Sequence, residues 1–421
     1  MKYKRLKSPT LNACVKGALL AAIPAMCLTA ETAPSGNRLE KLEKENDVLK
    51  KRLEALEDLA VKEGLVAKGD SAAGGVKALG DVTLSGFVTS SYFWDTADNE
   101  GGGVVGNVFN RNNSSFSINK VKVTLASKPA EASGSEWSAG YKVSLIFGED
   151  ANAVNTGGFL QGFDALREAY VELNVPIGTG LNVKAGHLIS LLNYESGDGG
   201  AVNDNFSQGY QWFFTGNGPS AGVQLGYNIT EQIDIKARVS NGLYAGPIDN
   251  NNNKSYMAAI GYKPTDKLWF SLIGFTGREN AGSVSGGSLL AGYQVSDKIH
   301  LGTELDYFDF DTPGVGGSPL YSAGLWASYT FTEKVMLAVR GEFLSDRDGT
   351  GTAGLLGFAA TPPAGNNAGQ DITSVAVTLN YKPVPSVKIQ PEIRYDHSNL
   401  GNAYGTTSSR ILVGAGVSYL F

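Results

Sequence analysis

Cysteine is nearly missing: Cys14 and Cys27 are the only two in 421 residues, and both lie among the first thirty. Once that opening is removed, a disulfide-stapled scaffold is excluded. Histidine is as scarce, with His187, His300 and His397 the whole supply of the commonest general base. No GxSxG, HExxH or metal-ligand spacing accompanies any of them, so no catalytic residue, cofactor or metal is expected. Alternation puts His187 on the apolar parity near an outer rim, His300 on the polar parity near a tight turn and His397 in a loop. Long apolar runs are absent too, and without eighteen such residues in a row no transmembrane helix is expected. Basic charge is short, at 35 Lys and Arg against 41 Asp and Glu. That balance argues against nucleic acid as a partner.

What the chain does have begins with an export signal, residues 1–30. Lys2, Lys4, Arg5 and Lys7 precede the apolar GALLAAIPAMCLTA, with a cut expected after Ala30. Leu28 is not the small residue usual before the cut, and bulky Met26 argues against a lipoprotein cut at Cys27. The mature chain would carry no cysteine and a net charge of about −11. Residues 37–63 follow, in which Leu42, Leu49 and Leu56 recur at heptad spacing and Leu39, Asn46, Leu53 and Ala60 interleave. That is the a/d seam of a short coiled coil, and a solvated amphipathic helix is the alternative. Leu at d with Asn46 at a suggests two strands, whereas the fold inferred below suggests three. Residues 64–80, rich in Gly and Ala, read as a flexible linker.

From residue 81 onward the period is two. Strands are expected at 81–94, 115–127, 137–148, 165–175, 181–190, 221–229, 232–241, 255–263, 267–276, 288–295, 298–308, 319–331, 334–345, 371–382, 386–396 and 408–421. Several close on a tyrosine just before a tight turn: Tyr227, Tyr262, Tyr293, Tyr329 and Tyr381, with Tyr419 in the last strand. All six keep the parity of the apolar face. Such a ring of phenols suits the headgroup level of a bilayer, where the ring is buried and the hydroxyl wet. The spacing of about 31 to 38 residues, wider once across a long loop, also approaches propeller-blade length. Each repeat holds only two strands of about ten residues, however, and ten is the length that crosses a bilayer at a tilt. Lipid offers no water to backbone groups, so the sheet must close on itself. The reading is all-β: a transmembrane antiparallel barrel of about 16 strands over 81–421, preceded by a short coiled-coil helix. A barrel that wide leaves an aqueous lumen.

With these features assembled, the chain resembles the Gram-negative outer-membrane porins, and within them the OmpL-like β-barrel porin family. The likeness is carried by SGFVTSSYFW, by LREAYVELNV with LNVKAGHLISLLNYES, by NDNFSQGYQWFF with GPSAGVQLGYNI, and by Phe421 alternating with Tyr419, Val417 and Ala415. It implies passive diffusion of small polar solutes and ions across the outer membrane, among outer-membrane lipids and usually in a homotrimer. It also implies that Val417, Tyr419 and Phe421 form the signal read by the barrel-assembly machinery. The coiled coil would then stand in the periplasm, a feature outside the common porin pattern.

The polar parity places Lys120, Lys122, Lys142, Lys184, Lys236, Arg238, Arg340, Lys388, Arg394 and Arg410 in the lumen. Glu168, Glu172, Asp234, Glu304, Asp306, Glu342, Glu392 and Asp396 share it. A solvated wall is the plain alternative for any one of them. Porins fold their third loop inward, and the resemblance implies the same for 191–220, with Glu195, Asp198 and Asp204 facing the bases of strands 2, 3, 5 and 16. A field across the narrowest section would then orient dipolar solutes. Two other readings stay open: an anchor tying the membrane to the cell wall through the coiled coil, and an outer-membrane hydrolase.

Overall fold

The computed structural model describes residues 82–97, 109–129, 136–155, 164–243, 251–279, 282–312, 316–347, 369–401 and 403–421, with Asn107, Gly246, Ile248 and Asp249. The export signal, the linker, and the heptad segment with Leu42, Asn46, Leu49, Leu53 and Leu56 lie outside the described residues.

The first eight strands are β1 (Thr83–Asp95), β2 (Ser115–Ser127), β3 (Ser138–Phe147), β4 (Leu166–Val175), β5 (Leu181–Leu188), β6 (Ser220–Asn228), β7 (Ile233–Ser240) and β8 (Ser255–Thr265). The next eight are β9 (Leu268–Glu279), β10 (Gly282–Gln294), β11 (Ile299–Thr312), β12 (Gly316–Thr332), β13 (Val335–Asp346), β14 (Gln370–Tyr381), β15 (Val387–Ser398) and β16 (Ser409–Leu420). Each pairs antiparallel with its sequence neighbours, and β1 pairs with β16 to close the barrel. The alternation therefore locates every strand, and the count of sixteen holds. β10 differs most, starting at Gly282 rather than 288. Its first half, GSVSGGS, has too few apolar side chains for a period to be read, yet its backbone pairs with both neighbours.

Parity fails at two bulges. In β2, Thr89 faces Lys120 and Ser90 faces Ile118, so Asn119 is extra and both Asn119 and Lys120 are buried inward. In β4, Ser144 faces Glu168 and Leu145 faces Leu166, so Arg167 joins Glu168 inside. A bulge sets two residues against one and re-aims a side chain. That is how Arg167 enters the lumen unannounced.

The outer wall carries two aromatic belts. At the short turns, Tyr262, Tyr293, Tyr329, Tyr381 and Tyr419 are exposed, while half-buried Tyr227 accepts a hydrogen bond from Thr179 N at 3.4 Å. At the loop end stand Tyr92, Trp94, Phe116, Tyr256, Tyr307, Tyr321 and Tyr395. Leucine, valine and isoleucine fill the band between them. An apolar band between aromatic girdles matches the hydrocarbon slab.

The inner face is less uniformly polar than alternation suggests. Met257, Ile273, Phe275, Phe308, Leu320, Leu344 and Ile372, from β8, β9, β11, β12, β13 and β14, pack there with Leu192 and Phe214 of the segment between β5 and β6. These inward apolar positions form a dry mount for that segment.

Candidate functional site

Residues 189–219, between β5 and β6, fold into the lumen, and wall carboxylates hold their backbone. Glu304 accepts Tyr194 N at 2.8 Å and Asn193 Nδ2 at 3.1 Å. Glu342 accepts Tyr210 N at 3.2 Å and Gln211 N at 3.0 Å, capping the single helical turn Tyr210–Phe214. Glu392 accepts Phe206 N at 2.7 Å and Ser207 N at 3.1 Å. Each of these three acids thus receives two donors from the loop, and together they seat it on the wall. Arginines complete the seating from the same wall. Arg340 donates to Glu195 Oε1 at 2.7 Å and Ser207 O at 2.5 Å, and Arg394 donates to Gln208 O at 2.7 Å.

The expected opposition of acidic loop and basic wall takes a different form. Asp198 meets Lys122 of β2 at 2.5 Å and Arg167 of β4 at 3.5 Å. Glu195 instead pairs with Arg340 of β13, and Trp326 Nε1 donates to it at 3.2 Å. Asp204 lines a cavity. The remaining wall cations pair along the wall: Lys142 with Glu168 at 2.8 Å, Lys184 with Glu172 at 3.5 Å, and Arg410 with Asp95 and Asp396. Lys120 lies 3.9 Å from Asp150 and over the Phe109 ring, and Arg238 donates to Gln224 and to Ile189 O. Arg340, Arg394 and Arg410 are at most 1% exposed. A buried charge stripped of water must be paired, which explains contact pairs in place of two separated charged surfaces.

Two cavities flank the loop. One, of about 340 Å³, opens among the ends of β5 and β6 and is lined by Val154, Arg167, Ser190, Trp212 and Gly218. The other, of about 290 Å³, lies toward the short turns and is lined by Asp204, Trp269, His300, Trp326 and Ser328. Asn193, Tyr194 and Glu195 wall both.

Burial and the nearby Asp204 and Glu195 push the Tyr194 phenol up to about 12, so it stays protonated beside His300 Nε2 at 2.7 Å. Asp198 moves the other way. Burial alone would raise its carboxyl, but the Lys122 and Arg167 cations outweigh burial and hold it below its ordinary value. A carboxylate depressed on folding contributes stability above its unfolded value, about 3.9, and loses it as pH falls through the folded value. Hydrogen-exchange protection around Asp198 should therefore survive acidification to about pH 4 and fail only below it. In Asp198→Asn it should be weak at every pH.

The histidines sit apart. His187 lies near the end of β5, buried rather than at an open rim, and neither ring nitrogen has a hydrogen-bond partner among the described residues. His300 contacts Tyr194 and Gln294. His397 is not in a loop, because β15 runs on to Ser398; it faces outward with Nδ1 2.8 Å from Ser409 Oγ. Residues missed by sequence reasoning are Arg167, hidden by its bulge, and the seating role of Glu304, Glu342 and Glu392, for which the only signal was their polar parity.

A closed sixteen-stranded barrel, belted outside and charged within, with a loop seated in its lumen, defines an outer-membrane porin. Residues 81–421 match the family described as "Putative beta-barrel porin-2, OmpL-like", and the chain belongs to that family. It is an outer-membrane protein. The fold is shared with DcaP, an outer membrane channel of Acinetobacter baumannii, at 14% identity and TM-score 0.56, covering 83% of this chain and 100% of that one. An anion-selective porin from Comamonas acidovorans aligns at 12% identity and TM-score 0.55, covering 81% of this chain and 99% of that one. The loop L8 deletion mutant of OmpT, an outer membrane protein of Vibrio cholerae, gives 12%, 0.55, 81% and 99%. No curated protein matches the sequence.

Proposed function

We propose that this porin passes small polar solutes and ions by passive diffusion, with residues 189–219 as the narrowest section of the path. The observation that carries this is the seating of the loop on Glu304, Glu342 and Glu392, which leaves a cavity on each side of Asn193, Tyr194 and Glu195. Glu195, Asp198 and Asp204 from the loop and Lys120, Lys122, Lys142, Lys184, Glu168, Glu172, Arg238, Arg340, Arg394 and Arg410 from the wall set its shape and charge. Liposomes holding the purified protein should swell in small sugars and resist larger ones. A folded protein that neither swells liposomes nor conducts in KCl overturns this reading.

Residues 37–63 serve as a periplasmic oligomerisation seam through Leu42, Asn46, Leu49, Leu53 and Leu56, the heptad spacing being the support. Deleting 37–60 should shift the cross-linked species toward single chains while leaving conductance per barrel unchanged. Val417, Tyr419 and Phe421 act as the assembly signal; all three stand exposed on the outer wall at β16. The porin works without catalysis. The His397–Ser409 contact has no third group on the histidine Nε2 among the described residues, so a nucleophile there would lack an oriented base.

A further inference from the structure

Four inward residues align across four strands. Trp269 of β9 faces Gly292 of β10, Gly292 faces Gly302 of β11, and Gly302 faces Trp326 of β12. The two glycines open a gap between the indoles. A Cβ on Gly302 would stand 2.2 Å from the Tyr194 ring, and one on Gly292 would stand 2.3 Å from Trp269 Nε1. Tyr194 thus lies in the gap, 6.2 Å from Trp269 and 4.7 Å from Trp326 between ring centroids. If the three rings only seated the loop, all would be covered. Trp269 instead stays half-buried and bounds the 290 Å³ cavity.

Asp204 lines the same cavity. Its backbone carbonyl accepts from Asn380 and Gln390, while its carboxylate has no hydrogen bond or ion pair among the described residues. Lys388 is within electrostatic range of it, but the Lys388 Nζ is committed to the Gly200 and Asn203 carbonyls. The other acid on this wall, Glu195, is neutralised by Arg340. An aromatic-walled cavity with one uncommitted carboxylate suits a cation carrying an apolar body. An aromatic ring attracts a cation that settles against its face, and the carboxylate adds to that attraction.

We propose that this cavity is a binding station for small organic cations of the aryl-alkyl amine class, which deepens the porin reading above by naming a solute class. Purified full-length protein in detergent, followed by tryptophan fluorescence, tests it with four probes: phenethylammonium, 2-phenylethanol, phenylacetate and glucose. Phenethylammonium should give a saturable change, 2-phenylethanol should bind about tenfold more weakly, since tenfold is 1.4 kcal/mol, and phenylacetate and glucose should not bind. Asp204→Asn, a near-isostere, should reduce phenethylammonium affinity about tenfold and leave 2-phenylethanol unaffected. Trp269→Leu should abolish binding of both. Equal binding of alcohol and amine, preferential binding of glucose or phenylacetate, or wild-type amine affinity in Asp204→Asn overturns the proposal. Conductance in KCl without amine reads the pore alone, so a conducting protein that ignores the amine refutes the station and leaves the pore standing.

Discussion

Replacing Arg340 by methionine should raise the single-channel conductance of the reconstituted protein several-fold and make the open current noisy. Arg340 is fully buried where wall and loop meet. It donates to Glu195 Oε1 and Ser207 O on the loop and lies 3.1 Å from Glu342 on its own strand. Methionine fills similar volume but leaves two carboxylates without their cation in a dry site, a loss of about 3–5 kcal/mol when one partner of a buried pair is removed. The strands keep their backbone ladders, whereas the loop loses its central tie. The strain should therefore be relieved by loop departure, not by barrel unfolding. Adding Glu195→Gln should restore part of the low conductance by removing one orphaned charge. Unchanged conductance and unchanged loop hydrogen exchange in Arg340→Met would refute this account of the seating.

Deleting Phe421 should lower the yield of folded barrel in the outer membrane by tenfold or more. Its backbone closes the seam: Phe421 N donates to Gly86 O at 3.1 Å, and Gly86 N donates to Phe421 O at 2.9 Å. Its ring lies against Gly86, where an added Cβ would stand 2.7 Å from it. Two ladder bonds at about 1 kcal/mol each, with part of the roughly 1.5–3 kcal/mol of aromatic burial, exceed the 1.4 kcal/mol that corresponds to tenfold. Heat-modifiable mobility of urea-washed membranes measures the folded fraction. Phe421→Tyr should be nearly neutral, because the hydroxyl can reach the interface. A full yield of folded barrel from the deletion would separate the seam from assembly.

The strand ledger was legible because lipid on one side and a mixed polar interior on the other impose period two. Val417, Tyr419 and Phe421 show that parity directly, and so does the tyrosine belt at the short turns. Inward loop folding came from family resemblance, since nothing in the spacing of 189–219 reveals where a loop goes. Which charges meet was not legible. Glu195 and Arg340 are 145 residues apart in sequence and meet at 2.7 Å only because β13 faces the seated loop.

By itself, then, the sequence determined a closed sixteen-stranded sheet with lipid outside, because alternation is a local property that each strand carries alone. Tertiary structure decided which wall residue touches which loop residue, since register and two bulges bring distant positions into one row. Arg167 is inside because of one extra residue in β4. Trp269, Gly292, Gly302 and Trp326 become a single shelf only when four strands are laid side by side.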